Sequence, residues 1–279
     1  MIKQGEYNLL YVSRKTQGAF YLTDDEGNEA VLFKRETEED FENGKELDVF
    51  VYSDSENPFI ATLKKPAIVC GQFGYLPCIA VNSTGAFLDW GLDKDLFVPF
   101  REQAKTMEEG KSYLVYLYFD TISNRLVASG KFNKFITKEG ADFEPKQEVD
   151  LLIADQTELG FNAIINNKFK GLIFKNEIFK PIRTGDRMKG YIKSVREDGK
   201  IDLRIQKLGF SHTKDNEEII LDKLKENNGE LGLGDNSSPE EISALLGISK
   251  KSFKKSIGAL YKKRLITMER DRIKLVEGK

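Results

Sequence analysis

One pattern recurs three times between residues 5 and 209 and limits what the chain can fold into. LLYVSRKTQGAFYL, AVLFKRE, NGKELDVFVYSD and NPFIATLKK follow one another in the first copy. LPCIAVNSTGAFLDWG, LFVPFRE, EGKSYLVYLYFD and NRLVASGKF form the second, and VDLLIADQTELGFNAII, GLIFKNE, TGDRMKGYIKSV and GKIDLRIQK the third. The internal spacing is conserved: 26 residues from Gly18 to Gly44, 25 from Gly85 to Gly110 and 25 from Gly160 to Gly185. Such self-similarity marks repeated structural units. Each copy holds short runs of Val, Ile, Leu, Phe and Tyr broken by Gly, Asn and Asp, which reads as five short antiparallel strands. Strands so few and short avoid exposed edges by closing into a small Greek-key barrel, the OB-fold. The glycine of each second strand is expected to relieve a sharply bent strand.

The pattern ends near residue 210. NEEIILDKLKEN places Ile219, Ile220, Leu221 and Leu224 at helical spacing. SSPEEISALLG supplies Ser238 as N-cap, Pro239 at the first helical position and Gly247 as the stop. ISKKSFKKSIGALYKKR predicts a third helix capped by Ser249, with Phe253, Ile257, Leu260 and Tyr261 as its apolar stripe. LITMERDRIKLV reads as two strands around Arg270 to Arg272, and GELGLG at 229–234 as a loop. Helix, helix, tight turn, helix, hairpin is the winged helix-turn-helix order. The expected architecture is therefore mainly β with a small α/β tail: barrels at 1–66, 67–140 and 141–210, and a winged helix at 211–279.

The net charge of −2 hides a gradient. The four segments 1–66, 67–132, 133–210 and 211–279 carry −6, −1, +3 and +2. Phosphate contact depends on Lys and Arg, so a polyanion is expected at the C-terminal half. The third helix carries Lys250, Lys251, Lys254, Lys255, Lys262, Lys263 and Arg264, with no acid from Ser249 to Met268. In the third repeat, basic residues such as Lys168, Lys170, Lys175, Lys180, Arg183, Lys193, Arg196, Lys200 and Lys207 interleave with Phe169, Phe174, Phe179 and Tyr191. Aromatic rings on a barrel face can stack bases of single-stranded nucleic acid. Phe20, Phe33, Phe87, Trp90, Phe100, Phe161 and Phe174 are the candidates, although core filling competes for each of them.

Catalysis finds little support. His212, the lone histidine, falls in an interdomain linker, and no GxxxxGK phosphate loop is present. The acidic run ETEEDFE at 36–42 reads as a solvated segment rather than a metal site, and Cys70 and Cys78 as small buried residues. No cofactor or metal is expected. The longest apolar runs, such as YLVYLYF at 113–119, are too short to span a membrane, and the start lacks a leader pattern. A cytoplasmic protein without membrane contact is expected.

TQGAF, STGAF and ELGFN, the third strands AVLFKRE, LFVPFRE and GLIFKNE, and the fifth strands resemble the RNA-binding OB-fold repeats named after the largest protein of the bacterial small ribosomal subunit. The resemblance implies a ligand face built from the aromatic of the second strand, a third-strand side chain and a basic residue opening the fifth. By position these are Phe20 and Phe33 in copy one, Phe87 and Arg125 in copy two, and Phe174 and Lys200 in copy three. Copy one has Pro58 at the basic position, copy two has Pro99 in the third strand, and copy three has Asn162 where the aromatic falls unless a bulge promotes Phe161. With the tail from SPEEI through KKSFKKSIG to LYKKRLI, the whole chain resembles the bacterial conserved virulence factor B family. That resemblance implies an RNA-binding regulator of post-transcriptional gene expression, including virulence. The alternatives are a transcriptional regulator reading duplex DNA with the winged helix, and a scaffold whose acidic first repeat docks a protein.

Overall fold

The computed structural model describes residues 1–54, 56–137, 142–178, 181–205 and 213–276. Phe179, Lys180, Lys207 and His212 lie outside the described residues. The chain divides into two compact units, Met1–Ile205 and Gln206–Lys279. The first holds three successive five-stranded barrels. Barrel one comprises β1 (Tyr7–Lys15), β2 (Ala19–Thr23), β3 (Glu29–Phe33), β4 (Glu46–Tyr52) and β5 (Ile60–Thr62), closed in the order β1-β2-β3-β5-β4. Barrel two comprises β6 (Phe73–Val81), β7 (Gly85–Leu88), β8 (Leu96–Pro99), β9 (Ser112–Asp120) and β10 (Arg125–Ser129). It curls in the same order but is not sealed, running β10-β9-β6-β7-β8 with no ladder between β8 and β10. Barrel three comprises β11 (Glu148–Gln156), β12 (Gly160–Ile165), β13 (Phe169–Phe174), β14 (Arg187–Val195) and β15 (Ile201–Arg204), and closes as barrel one does.

The first strand of each barrel carries a register shift where it passes from one partner to the next, and the second-strand glycine leaves needed room in barrels two and three but not in barrel one. β1 pairs with β4 over Tyr7–Tyr11 and then with β2, its register shifting between Val12 and Arg14. β6 shifts between Cys78 and Ala80, and β11 between Ile153 and Gln156. An extra residue at these points raises the local twist and turns the strand from one partner to the next. Gly18 precedes β2, and a Cβ built on it would meet nothing within 4 Å. Of the three, those under constraint are Gly85, whose Cβ would lie 2.4 Å from the Val98 carbonyl oxygen, and Gly160, 2.0 Å from that of Ile173.

β4 shows how the barrels join. Val49 and Val51 fill barrel one, while Phe50 and Tyr52 on the opposite face enter the core of barrel two beside Ile68, Leu88 and Trp90. β11 repeats the device: Leu151 and Ile153 face barrel three, and Leu152 and Ala154 pack with Phe73 and Leu114 of barrel two. Continuous apolar runs of this kind signal strands covered on both faces. Between barrels two and three, Asn167 Oδ1 accepts from the Phe73 N–H at 2.8 Å, and Arg187 donates to the Phe73 carbonyl at 2.7 Å.

The second unit comprises α1 (Thr213–Glu226), β16 (Glu230–Leu231), α2 (Pro239–Leu246), α3 (Lys250–Lys262), β17 (Ile266–Met268) and β18 (Ile273–Leu275). Ser238 closes a capping box on α2, its side chain accepting from the Glu241 N–H at 3.1 Å while Glu241 accepts from the Ser238 N–H at 2.7 Å. Gly247 ends α2 at φ 66°, in the left-handed region that glycine tolerates. Two expectations are corrected. Glu230–Leu231, inside the expected loop, pairs with β18 and makes the sheet three-stranded. Tyr261 is 56% exposed, and the buried stripe of α3 is Phe253, Ser256, Ile257 and Leu260, because position 261 lies one step off that face. No helix among the described residues is long and apolar enough to cross a membrane.

Candidate nucleic-acid interface

On barrel two, Phe87 of β7 lies directly opposite Phe97 of β8, their ring centroids 5.3 Å apart and tilted by 39°. Both rings are half-buried, so each keeps part of its surface open. Arg125 opens β10 and is exposed. These three residues share a cavity of about 200 Å³ with Trp90, Asp95, and Tyr52 and Asp54 of barrel one. Sequence reasoning found Phe87 and Arg125 but missed Phe97, whose signal was the alternation LFVP that sends it to the same face as Phe87. Trp90 is buried and donates to the Lys94 carbonyl at 2.6 Å, so it is a wall rather than a stacking platform. Phe100, just past β8, is 48% exposed.

Barrel one corrects the motif alignment. Ala19 pairs with Phe33, as Gly85 does with Pro99 and Gly160 with Phe174. The structural counterpart of Phe87 is therefore Tyr21, one residue beyond Phe20. Phe20 is fully buried against Phe41, at 5.2 Å between centroids, and offers no face to a base. Tyr21 is covered by the Arg14 guanidinium 3.2 Å above its ring, itself held by Glu29 at 3.0 Å. Phe33 packs against the core of barrel two. The acidic run is partly structural, since Glu36 accepts from the Thr62 hydroxyl at 2.5 Å.

In barrel three the same register puts Asn162 at the Phe87 position, where it donates to Asp155 at 2.8 Å. Phe161 packs on the core. Phe174 is half-buried, with the Arg196 and Lys193 head groups 5.6 and 5.8 Å from its centroid. Several cations here are already paired: Lys200 with Asp198, Lys193 with Glu177 and Lys189 with Asp150, each at 2.7 Å, and Arg196 with both oxygens of Asp202. Among the described residues no acid pairs with Lys168, Lys170 or Lys175. Lys170, Lys200 and Asn162 line an open groove of about 810 Å³ with the exposed Leu159 and with Leu172.

On α3 the structure supplies acids that the local sequence lacks. Asp235 pairs with Lys254 at 3.0 Å and Glu217 with Lys263 at 2.5 Å. Lys251, Lys255, Lys262 and Arg264 are exposed with no acidic partner among the described residues, and Lys250 is half-exposed. Exposed pairs hold by no more than about 1 kcal/mol, so a phosphate can displace Asp235 from Lys254. Arg264 follows the helix at φ 59°, donating to the Tyr261 carbonyl at 2.9 Å. Glycine is the usual occupant of that left-handed position.

No group of three His, Cys, Asp or Glu able to hold a metal ion occurs among the described residues. Burial pushes the Cys70 and Cys78 thiols above their ordinary pKa, which makes them poor nucleophiles.

The S1 domain family matches residues 4–64 and 70–131, and the CvfB-like winged helix domain family matches 218–275. Conserved virulence factor B of Staphylococcus epidermidis is 28% identical, over 94% of this chain and 91% of the relative. That of Staphylococcus saprophyticus is 26% identical over 98% and 94%, and the Bacillus subtilis protein YitL 27% over 94% and 90%. A solved multidomain protein with nucleic acid binding domains from Streptococcus pneumoniae is 22% identical, covering 98% of each chain at a TM-score of 0.44. S1 and winged helix domains are nucleic-acid-binding families; this chain carries two S1 matches followed by a CvfB-like winged helix match and is similar along nearly its whole length to the conserved virulence factor B proteins.

Proposed function

We propose that this chain, tandem S1 domains ending in a CvfB-like winged helix and similar along nearly its whole length to conserved virulence factor B, is an RNA-binding regulator. It acts after transcription, in the bacterial cytoplasm, on single-stranded or structured RNA, and the names of its relatives extend the reading to virulence genes. The Phe87–Phe97 pair beside Arg125 carries the proposal: two partly open rings and a cation at one strand edge suit a base and its phosphate. Barrel three contributes Phe174, Lys175 and Lys200, and α3 contributes Lys250, Lys251, Lys254, Lys255 and Lys262, with Lys263 and Arg264 just after it, as phosphate contacts. Barrel one, with Phe20, Tyr21 and Phe33 covered and its surface acidic, is a packing module with room for a protein partner.

Duplex DNA is the second reading, because α3 is the helix that enters a groove in winged-helix proteins. Lysines hold phosphates, but the Asn and Gln that read adenine and the planar fork of Arg are absent from α3 itself, Arg264 coming only after its end. Titrating labelled single-stranded RNA into the full-length protein at several salt concentrations tests the proposal. Each phosphate contact removed from α3, as in Lys251→Ala or Lys255→Ala, should flatten the log–log salt slope by about 0.7. An unchanged slope in the variant with Lys250, Lys251, Lys254 and Lys255 all replaced by Glu would place the interface elsewhere. Easy displacement of RNA by duplex DNA would favour the second reading.

A further inference from the structure

The cavity beside Phe87 holds two carboxylates that phosphate binding does not require. It lies where β8 and β10 fail to pair, whereas β3 with β5 and β13 with β15 are joined by parallel ladders. β8 and β10 lie side by side without a ladder, and the cavity at this place has room for one flat ring system rather than for a larger ligand needing about 300–1,000 Å³. Phe87 and Phe97 supply the stacking surface. Asp54, contributed by barrel one, and Asp95, just before β8, supply acceptors.

Asp54 is held in place by its Oδ1, which accepts from the Glu56 and Asn57 N–H groups at 2.7 Å each. Its Oδ2 has no donor among the described residues. Asp95 is half-buried and makes no ion pair among the described residues, and burial raises its pKa. Burial works against the Asp54 charge, but the Asn57 and Glu56 N–H groups and the nearby Lys94 hold its pKa below the ordinary value; Asp95 has no such donor among the described residues, and a partly desolvated carboxylate of that kind is costly unless a ligand supplies a hydrogen bond. A carboxylate only accepts. Among RNA bases, guanine alone presents two adjacent donors, N1–H and the N2 amine, on its pairing edge. Uracil flanks its single N–H with carbonyls that an acid repels, and adenine and cytosine set a ring nitrogen acceptor beside their amine.

We propose that this cavity of barrel two is a guanine-selecting pocket, in which Phe87 and Phe97 stack the base, Asp54 or Asp95 accepts from its pairing edge and Arg125 holds the adjoining phosphate. The proposal rests on the RNA-binding reading and adds a base preference to it. It is tested with the full-length protein and labelled oligouridylates carrying one central guanosine, inosine, adenosine or none. Guanosine should tighten binding about tenfold over the all-uridine strand, with inosine, which lacks the N2 amine, intermediate. Asp54→Asn or Asp95→Asn, whichever carboxylate faces the base, should bring the guanosine-to-uridine ratio close to one. Circular dichroism melts check that both variants fold; should they not, the guanosine-against-inosine comparison in the unmodified protein decides. Equal affinity for all four strands, or a ratio that survives both substitutions, overturns the pocket while leaving RNA binding intact. Failure to bind any strand overturns the RNA-binding reading itself.

Discussion

Two phenylalanines with the same motif neighbours are placed differently. Phe20 is sealed inside barrel one, and Phe87 lies half-open on barrel two, because the strand register of the first copy is displaced by one residue. Phe20→Ala should cost about 3–5 kcal/mol in urea unfolding, as a large core truncation does. Phe87→Ala, which removes a half-buried ring, should cost clearly less in unfolding than Phe20→Ala and lose about 1–3 kcal/mol of RNA affinity. Finding the affinity loss at Phe20 in a variant of full stability would reverse this assignment. Arg264 is a residue of another kind, a large side chain held at φ 59°. Arg264→Gly should raise the stability of the winged-helix unit by up to about 1 kcal/mol and weaken RNA binding, a trade-off that thermal melts and titration read separately.

At the scale of strands and turns, the glycines sort by what faces them. Gly160→Ala should destabilise barrel three strongly, since the added methyl would collide with the Ile173 carbonyl. Gly18→Ala should be neutral or stabilising by up to about 1 kcal/mol, through the unfolded chain, and equilibrium melts of the two variants distinguish these outcomes. The Asp24 turn has a pH signature. Burial works against its charge, but the Asn28 amide and the Asn28 and Glu26 N–H groups, with the amino terminus 3.1 Å away, hold its pKa at about 2. A depressed carboxylate stabilises the fold above its unfolded pKa, and the benefit is lost as pH falls through the folded value. Asp24→Asn should therefore be less stable than the parent near neutrality, the difference closing between about pH 4 and 2 in acid titrations followed by circular dichroism. The five strands of each repeat, the helix caps and the third-strand positions could be read from the sequence because each has a local cause, such as Ser238 before Pro239, whereas the short strand at Glu230–Leu231 could not. The slipped register of β2 could not, since TQGAF and STGAF match letter for letter at three positions while cross-strand packing decides which residue faces out. Nor could the acids opposing α3, because Glu217 and Asp235 reach it only through the tertiary fold.

Across the first unit, the barrels are not beads on a string. DVFVY and VDLLIA read as ordinary core strands, yet each serves two barrels at once. Removing residues 1–66 would strip Phe50, Tyr52 and Ile60 from the core of barrel two. The truncated chain should lose cooperative unfolding and become sensitive to proteolysis within 67–132, whereas independent modules would leave that segment protected. A partner docking on the acidic barrel is better sought by replacing its exposed carboxylates, which leaves the shared core whole. The same seam contains the protein's sole tryptophan, Trp90, edge-on to Phe50 at 5.7 Å and to Tyr52 at 6.4 Å while bordering the cavity beside Phe87. Its indole is a built-in fluorophore at the junction of two barrels, so the colour and quenching of a single emission band can report both the integrity of that junction and the arrival of a base, with no label attached.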